Sequence, residues 1–292
     1  MGTRVFLSSL GHPVPPEEAV VSAFDRGFLY GDSIYETLRT CGGRLVDLDR
    51  HLGRLHGSAE GIALDLPFTD GEILDAVRAT LEAAQNPDSK VRIVVTRGGG
   101  AMALDVRESR SPLLVVYVQP LQLPTAETYA RGLSAHVVGV QKNNRGMIDP
   151  ALKTGNYLPS ILALRQAIER SGEDAIMINQ DGNVAEGATS NVFMVKDGEV
   201  LTPHLETGVL AGITRQRVLE LSIAAGLPTH ERSIAPELLR AADEVFLTSS
   251  VRGIMPVTTL DGARISEGMG PVTRRLTAAY DGFLDAVARD ER

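Results

Sequence analysis

Hydrophobic and polar positions repeat along the chain with two periods, and the alternation of those periods outlines a fold. Between Asp49 and Ala63, the residues Leu52, Leu55, Ala59 and Ile62 recur at three- and four-residue spacing, which predicts an amphipathic helix. A second stripe, Ile73, Val77 and Leu81, follows Thr69 and Asp70, either of which suits a helix cap. Val91–Thr96 and Leu113–Gln119 are short apolar runs of the length of buried strands. Cys41-Gly-Gly43 predicts a turn into a strand over Arg44–Asp47. Leu121–Arg131 is polar, contains Pro124 and has no period, which predicts a linker. Beyond it, Asp181-Gly182, Asp197-Gly198 and Asp261-Gly262 each fall between β-rich runs and predict hairpins. Pro159 opens a helix that Gly172 closes, with Ile161, Leu164 and Ile168 as its expected buried face. Thr214–Ala225 is another helix, stopped by Gly226 and Pro228. The order predicts an α+β protein of two domains: a small N-terminal α/β domain over 1–121, a linker over 122–131, and a larger β-rich α+β domain over 132–292.

Composition narrows the function classes. With 292 residues, 43% hydrophobic and 23% charged, the chain has apolar surface enough for real cores. A net charge of −8 argues against a general nucleic-acid surface, which needs an excess of Lys and Arg. The single cysteine, Cys41, excludes an intrachain disulfide and a cysteine-based zinc site. No run reaches the roughly 18 apolar residues of a membrane span. The first residues lack the apolar run of a signal peptide, and Phe6 breaks the myristoylation pattern that follows Gly2. The expectation is a cytoplasmic protein with no metal, no nucleic-acid partner and no membrane partner.

Candidate chemistry starts with lysine. Only four of the 29 basic residues are Lys: Lys90, Lys142, Lys153 and Lys196. Lys196 sits in a Lys-Asp-Gly turn and Lys142 in a polar Gln-Lys-Asn-Asn-Arg run, so both are expected to be solvated. Lys153 lies between a strand-like run and the helix near Pro159. A lysine at such a junction is either a surface cation or, if desolvated, an amine with a lowered pKa and nucleophilic character. Residues 185–191, Ala-Glu-Gly-Ala-Thr-Ser-Asn, put the Glu186 carboxylate beside a glycine that admits close backbone approach. Ala-Gly-Ile-Thr-Arg, residues 211–215, precedes a helix whose free N–H groups suit an anion, or simply a Thr cap. Arg50 and Arg54, one helical turn apart, face solvent acids by default. Gly98-Gly-Gly100 lacks the dinucleotide spacing and predicts a mobile loop.

In chain order these pieces resemble the class IV (fold-type IV) pyridoxal-phosphate enzymes, which include branched-chain aminotransferases, D-amino-acid aminotransferases and aminodeoxychorismate lyases. The residues that carry the resemblance are Asp25-Arg-Gly-Phe-Leu-Tyr-Gly-Asp32, His51-Leu-Gly-Arg-Leu55, Val95-Thr-Arg-Gly98 and Lys153-Thr-Gly-Asn-Tyr157, then Glu186-Gly-Ala-Thr-Ser-Asn191, Gly212-Ile-Thr-Arg215, Asp243-Glu-Val-Phe246 and Ile254-Met-Pro-Val257. The resemblance implies a two-domain enzyme with its site in the cleft between the domains, working as a homodimer. It implies that Lys153 forms a Schiff base with pyridoxal 5'-phosphate and that Glu186 pairs with the pyridine nitrogen. By the same resemblance Arg54, Ile213, Thr214 and Ser250 hold the phosphate and Tyr157 meets the phenolic oxygen. Tyr30, Tyr35, Arg92 and Arg97 are the implied substrate residues, with an Arg or nearby N–H groups receiving the α-carboxylate. The implied reaction is ping-pong transfer of an amino group from an amino acid, foremost a branched-chain L-amino acid, to a 2-oxo acid such as 2-oxoglutarate. D-amino-acid transamination and the lyase are the alternatives, and a cofactor-binding protein without turnover is the alternative outside catalysis. Lys90 stands where branched-chain enzymes often have Tyr, and Gly99 where the D-amino-acid enzymes have His.

Overall fold

A computed structural model describes residues 1–142 and 147–290. The end of the Gln-Lys-Asn-Asn-Arg run lies outside the described residues. The chain divides into two compact units, one of Met1–Gln122, Leu152–Asn156 and Asp285–Arg292, the other of Leu123–Ala151 and Tyr157–Leu284.

The first unit contains β1 (Arg4–Leu7), β2 (His12–Val14), α1 (Arg26–Tyr30), β3 (Ser33–Cys41), β4 (Arg44–Leu45), α2 (Leu48–Gly61), α3 (Asp70–Ala84), β5 (Ser89–Thr96), β6 (Gly99–Gly100), β7 (Ser109–Arg110) and β8 (Leu113–Pro120). Among the described residues its main sheet has the order β2-β1-β8-β5-β3-β4 and is antiparallel throughout. Side chains alternate across such a sheet. Ile34 and Leu38 of β3, with Val91, Ile93 and Val95 of β5, therefore face one way and pack with Leu52, Leu55 and Ala59 of α2 and Ile73 and Val77 of α3. Thr69 caps α3 in a reciprocal pair with Glu72, as its position predicts. The Gly98–Gly100 stretch is not a bare loop: β6 pairs with β7, and a Cβ on Gly98 would lie 2.2 Å from the Arg110 carbonyl oxygen.

Alternation also puts Glu36 on the helix-facing side, between Ile34 and Leu38. Glu36 is fully buried there. Its carboxylate accepts from Arg54 Nε at 2.7 Å and Arg54 Nη2 at 2.8 Å, and meets His51 Nδ1 at 2.7 Å. Both partners come from α2, three residues apart, on the turn that faces β3.

The second unit contains α4 (Ala126–Arg131), β9 (Leu133–Gln141), α5 (Leu158–Ile168), β10 (Asp174–Ile178), β11 (Val184–Gly187), β12 (Asn191–Lys196), β13 (Glu199–Thr202), α6 (Ile213–Ala224), β14 (Thr229–Glu231), α7 (Pro236–Arg240), β15 (Glu244–Ser249), β16 (Gly253–Leu260), β17 (Ala263–Arg264) and α8 (Pro271–Arg289) as far as Leu284, the rest of α8 being counted with the first unit. The expected linker thus holds a helix, α4, because Thr125 accepts the Thr128 N–H and caps its start. The strand order is β11-β10-β9-β16-β15-β12-β13-β14, and β11 also pairs with β12. That last pairing closes the sheet on itself through Glu186 and Asn191. Val192, Met194, Val245, Leu247, Met255 and Val257 form part of the buried core of this unit. The three Asp-Gly dipeptides lie in hairpin connections, between β10 and β11, β12 and β13, and β16 and β17. Asp197 and Asp261 have φ of 50° and 52°, each followed by a glycine at about 80°, the double positive φ of a two-residue turn.

The face of α5 departs from expectation. Ala163 and Ala167 are its buried residues and pack against Val138, Ala175 and Met177, because small side chains let the helix approach β9 and β10 closely. Ile161 and Ile168 are instead 60% and 59% exposed.

Burial alone would raise the Glu36 carboxyl, but the hydrogen bonds from Arg54 and His51 outweigh it and lower it to about 2. A carboxyl depressed on folding stabilises the fold above its unfolded pKa, near 4.5 here, and the contribution disappears as pH falls through 2. The shift corresponds to roughly 3 kcal/mol. Glu36→Gln is expected to lower the unfolding free energy by about that amount at neutral pH, with the gap to wild type closing toward pH 2. Urea unfolding at a series of pH values checks this, and a gap independent of pH would refute it.

Candidate active site

In the first unit the site is built on the open edge of β3. Residues 153–155 lie along this edge as a short extra strand: the Tyr35 N–H donates to the Lys153 carbonyl at 2.9 Å and the Gly155 N–H to the Ser33 carbonyl at 2.9 Å. Thr154 bridges Ile34 in antiparallel sense, which sets Lys153 opposite Tyr35. The Lys153 N–H donates in turn to Ser58 Oγ of α2 at 3.1 Å. Gly155 lets the segment lie close against β3, since a Cβ there would lie 2.3 Å from Ser33 Oγ and oblige that hydroxyl to move. The backbone of Lys153 is thereby held from both sides.

The Lys153 ammonium lies 4.5 Å from the centre of the Tyr35 ring, and the Arg92 guanidinium 4.2 Å from the same ring. Arg92 reaches it because β5 pairs with β3 in a register that sets Arg92 against Thr37, two residues from Tyr35 on the same face. An amine, an aromatic face and a second cation are therefore neighbours. Cations over ring faces are attracted by the ring quadrupole. Tyr30, at the end of α1, is partly exposed and has the Arg26 guanidinium 5.2 Å from its ring centre.

Arg97 does not belong to this group. Its guanidinium is buried and donates to Asp32 at 2.8 Å and to the Ala63 and Ile62 carbonyls at 2.8 Å each. Arg26 donates to the same Asp32 carboxylate at 3.0 Å and to the Ala103 carbonyl at 2.6 Å. Burial pushes Asp32 up, and the hydrogen bonds and charges of Arg97 and Arg26 outweigh it, holding its carboxyl below the usual range. Arg97 is thus part of the scaffold that ties residues 62, 63 and 32 together. Of the two arginines expected at the substrate, only Arg92 lies at the Tyr35 face. Arg54, expected to face solvent acids, is engaged with buried Glu36 instead, which fixes the plane of its guanidinium.

In the second unit Glu186 lies on β11, buried, opposite Asn191. Its Oε2 accepts the Leu210 N–H at 2.8 Å and Asn191 Nδ2 at 3.3 Å, while its Oε1 meets Lys142 Nζ at 2.5 Å. Lys142 is therefore no solvated surface lysine but a counter-ion to this carboxylate. Asn191 Nδ2 also donates to the Leu210 carbonyl at 2.9 Å. The chain then passes Gly212, where a Cβ would lie 2.0 Å from Asn191 Oδ1, and enters α6 at Ile213. The N-cap is this glycine and not a threonine, and no side chain caps the helix start. Ile213 and Thr214 are buried within the first turn. Tyr157 precedes α5, and Ser250 follows β15; both are half-buried.

These groups can be matched against pyridoxal phosphate. An uncapped helix start suits a phosphate, a buried carboxylate suits a protonated ring nitrogen, and a lysine held by its backbone suits an aldehyde. Among the described residues, two buried hydroxyls near Glu186 also have no protein partner: Ser190 Oγ, and Thr248 Oγ1, which lies across β12 and β15 from Asn191. Buried hydroxyls are rarely left unmatched, so the donor set fits a polar ligand. Sequence reasoning did not find Glu36, His51, Asn191 or the role of Lys142. Glu36 had a signal, a charge at the inward position of an alternating strand.

Comparison with known proteins identifies the family. The model of the family described as amino-transferase class IV matches residues 33–260. A putative branched-chain-amino-acid aminotransferase of Methanocaldococcus jannaschii is 35% identical over 278 residues, covering 95% of each chain. A D-alanine aminotransferase of Bacillus licheniformis is 33% identical over 281 residues, covering 96% of this chain and 97% of that one. The crystal structure of the branched-chain aminotransferase from Thermoproteus uzoniensis with norvaline superposes with a TM-score of 0.89 at 32% identity, covering 97% of this chain and 95% of that one. No described helix is long and apolar enough to cross a membrane. The chain belongs to the class IV aminotransferases and is a pyridoxal-phosphate-dependent transaminase that acts on amino acids and 2-oxo acids.

Proposed function

We propose that the enzyme moves amino groups between branched-chain L-amino acids and a 2-oxo acid such as 2-oxoglutarate, as a cytoplasmic homodimer. The observation that carries the site assignment is the placement of Lys153 beside Tyr35 and Arg92. Its substrate class is supported by the branched-chain relative, identical at 35% of positions over almost the whole chain. The D-alanine aminotransferase at 33% identity supports D-amino-acid transamination as the second reading.

When bound, pyridoxal phosphate supplies an electrophilic carbonyl and a ring that accepts the electron pair of a breaking Cα–H bond. Lys153 Nζ would hold the cofactor's carbonyl carbon and would serve as the base that moves the proton at the substrate Cα. Glu186 would pair with the ring nitrogen and favour its protonated form. Arg54, the Ile213 and Thr214 N–H groups and Ser250 would hold the phosphate, and Tyr157 would bind the phenolic oxygen. Arg92 receives the substrate carboxylate, and the Tyr35 ring, with Tyr30, lies against its apolar side chain.

The homodimer is supported by α5, which exposes Leu158 at 64%, Ile161 at 60% and Ile168 at 59% on one short helix. Such patches on a soluble protein mark surfaces that a partner covers.

Borohydride treatment of the holoenzyme is expected to leave the pyridoxyl mass on the peptide containing Lys153, and Lys153→Ala to lack it and lose roughly 10²–10⁴-fold or more in turnover. A label on another lysine would overturn the assignment. In a donor panel with 2-oxoglutarate or pyruvate as acceptor, L-valine, L-leucine and L-isoleucine are expected to turn over. Turnover of D-amino acids alone would replace the leading substrate by the second reading, and a loaded protein that transfers from no donor would favour a binding role. Sedimentation is expected to give twice the 31.3 kDa chain mass, and Leu158→Glu with Ile161→Glu to shift the protein toward monomer.

A further inference from the structure

We propose that Glu36 and His51 are positioning residues that set the strength with which Arg54 holds the cofactor phosphate. The inference rests on the proposed role of Arg54 at the phosphate. Glu36 occupies an inward position between Ile34 and Leu38, all three being fully buried. An apolar residue would fill that position without the cost of desolvating a charge, and a buried ion pair gives no assured gain in stability over apolar packing. What the carboxylate does uniquely is orient a cation.

Both of its oxygens are engaged by one edge of the Arg54 guanidinium, Nε and Nη2, in the two-pronged geometry that fixes the plane of the group. His51, buried on the same helix, holds Glu36 Oε2 from a second direction at 2.7 Å. The carboxylate is therefore pinned by a group other than the one it orients, and it cannot swing with Arg54. Arginine in solution has several freely rotating side-chain bonds, and ordering them on binding weakens a ligand's grip. Here that ordering is complete before any phosphate arrives. Glu36 is held near pH 2, so the orienting charge persists at every pH at which the enzyme works.

A carboxylate next to a phosphate-binding arginine could instead compete with the phosphate. The two roles have opposite signs. Removing a competitor tightens phosphate binding, and removing a positioning group loosens it.

The test uses the full-length apoprotein and compares dissociation constants for pyridoxal 5'-phosphate and for pyridoxal, which lacks the phosphate. The ratio of the pyridoxal constant to the pyridoxal 5'-phosphate constant, which is large when the phosphate is held tightly, isolates the phosphate grip from the ring contacts. Arg54→Gln is expected to reduce the ratio by roughly 10–100-fold, as loss of a charge-assisted contact does. His51→Leu is expected to reduce it by about threefold to tenfold with pyridoxal affinity unchanged, and His51→Asn, whose amide can reach Glu36 as Nδ1 does, to restore it. Glu36→Gln should follow His51→Leu; if it does not fold, the two His51 variants decide. If Arg54→Gln leaves the ratio unchanged, the phosphate role of Arg54 is wrong and the inference goes with it. If Arg54→Gln lowers the ratio while His51→Leu and Glu36→Gln keep or raise it, the role of Arg54 stands and the positioning inference is overturned.

Discussion

The backbone pairing of residues 153–155 with the edge of β3 is the constraint on which the chemistry of this protein depends. A lysine side chain has four rotatable bonds and no natural preference for one place. Its reach is limited only if its backbone is fixed, and here two elements fix it: the β3 edge through Tyr35 and Ser33, and α2 through Ser58. The close approach requires Gly155, and the strand register then sets Lys153 opposite Tyr35 without any further contact. The chain between Ala151 and Tyr157 belongs to the first unit although the chain on both sides belongs to the second. The backbone of Lys153 is thus built into a sheet edge, where hydrogen bonds fix it more firmly than a surface loop would.

Buried carboxylates organise much of what surrounds it. Glu36 fixes Arg54, Asp32 joins Arg26 to Arg97, and Glu186 gathers Lys142, Asn191 and the Leu210 N–H. In each case the acid accepts at least two donors, which is the condition under which burying its charge is tolerable. Although the chain as a whole is acidic at −8, its informative charges are these local pairs. Net charge spoke only to what the protein does not bind.

The sequence was most legible where one local rule decides the outcome. The Thr69 cap, the Asp-Gly hairpins and the alternating strands of the first unit lie where their residue types predict. It was least legible where tertiary contacts choose between equally good options. On α5 both the isoleucine stripe and the alanine stripe have helical spacing, and the close approach of β9 and β10 selected the small residues. Lys142 has no local signal at all, since its partner is 44 residues away on a different strand. Arg97 and Arg92 are alike in sequence terms, and only the placement of Asp32 and the 62–63 carbonyls separates a scaffold residue from one at the Tyr35 face. Lys153 and Glu186 became readable in sequence through family resemblance, because neither the strand edge that holds one nor the donors that hold the other leave a local pattern.

The closure of the second unit's sheet carries a consequence beyond catalysis. The ring of strands is completed at the pairing of Glu186 with Asn191, so the carboxylate that would meet the cofactor ring is also the clasp of the fold. A ligand that engages Glu186 does so only when that clasp is shut, and its binding free energy then counts toward folding. Such linkage amounts to about 4 kcal/mol when free ligand stands at a thousand times its dissociation constant, which is of the order of half a typical domain's whole stability. Cofactor bound at Glu186 would therefore hold the ring of strands shut, and the protein without it would open more readily by that margin.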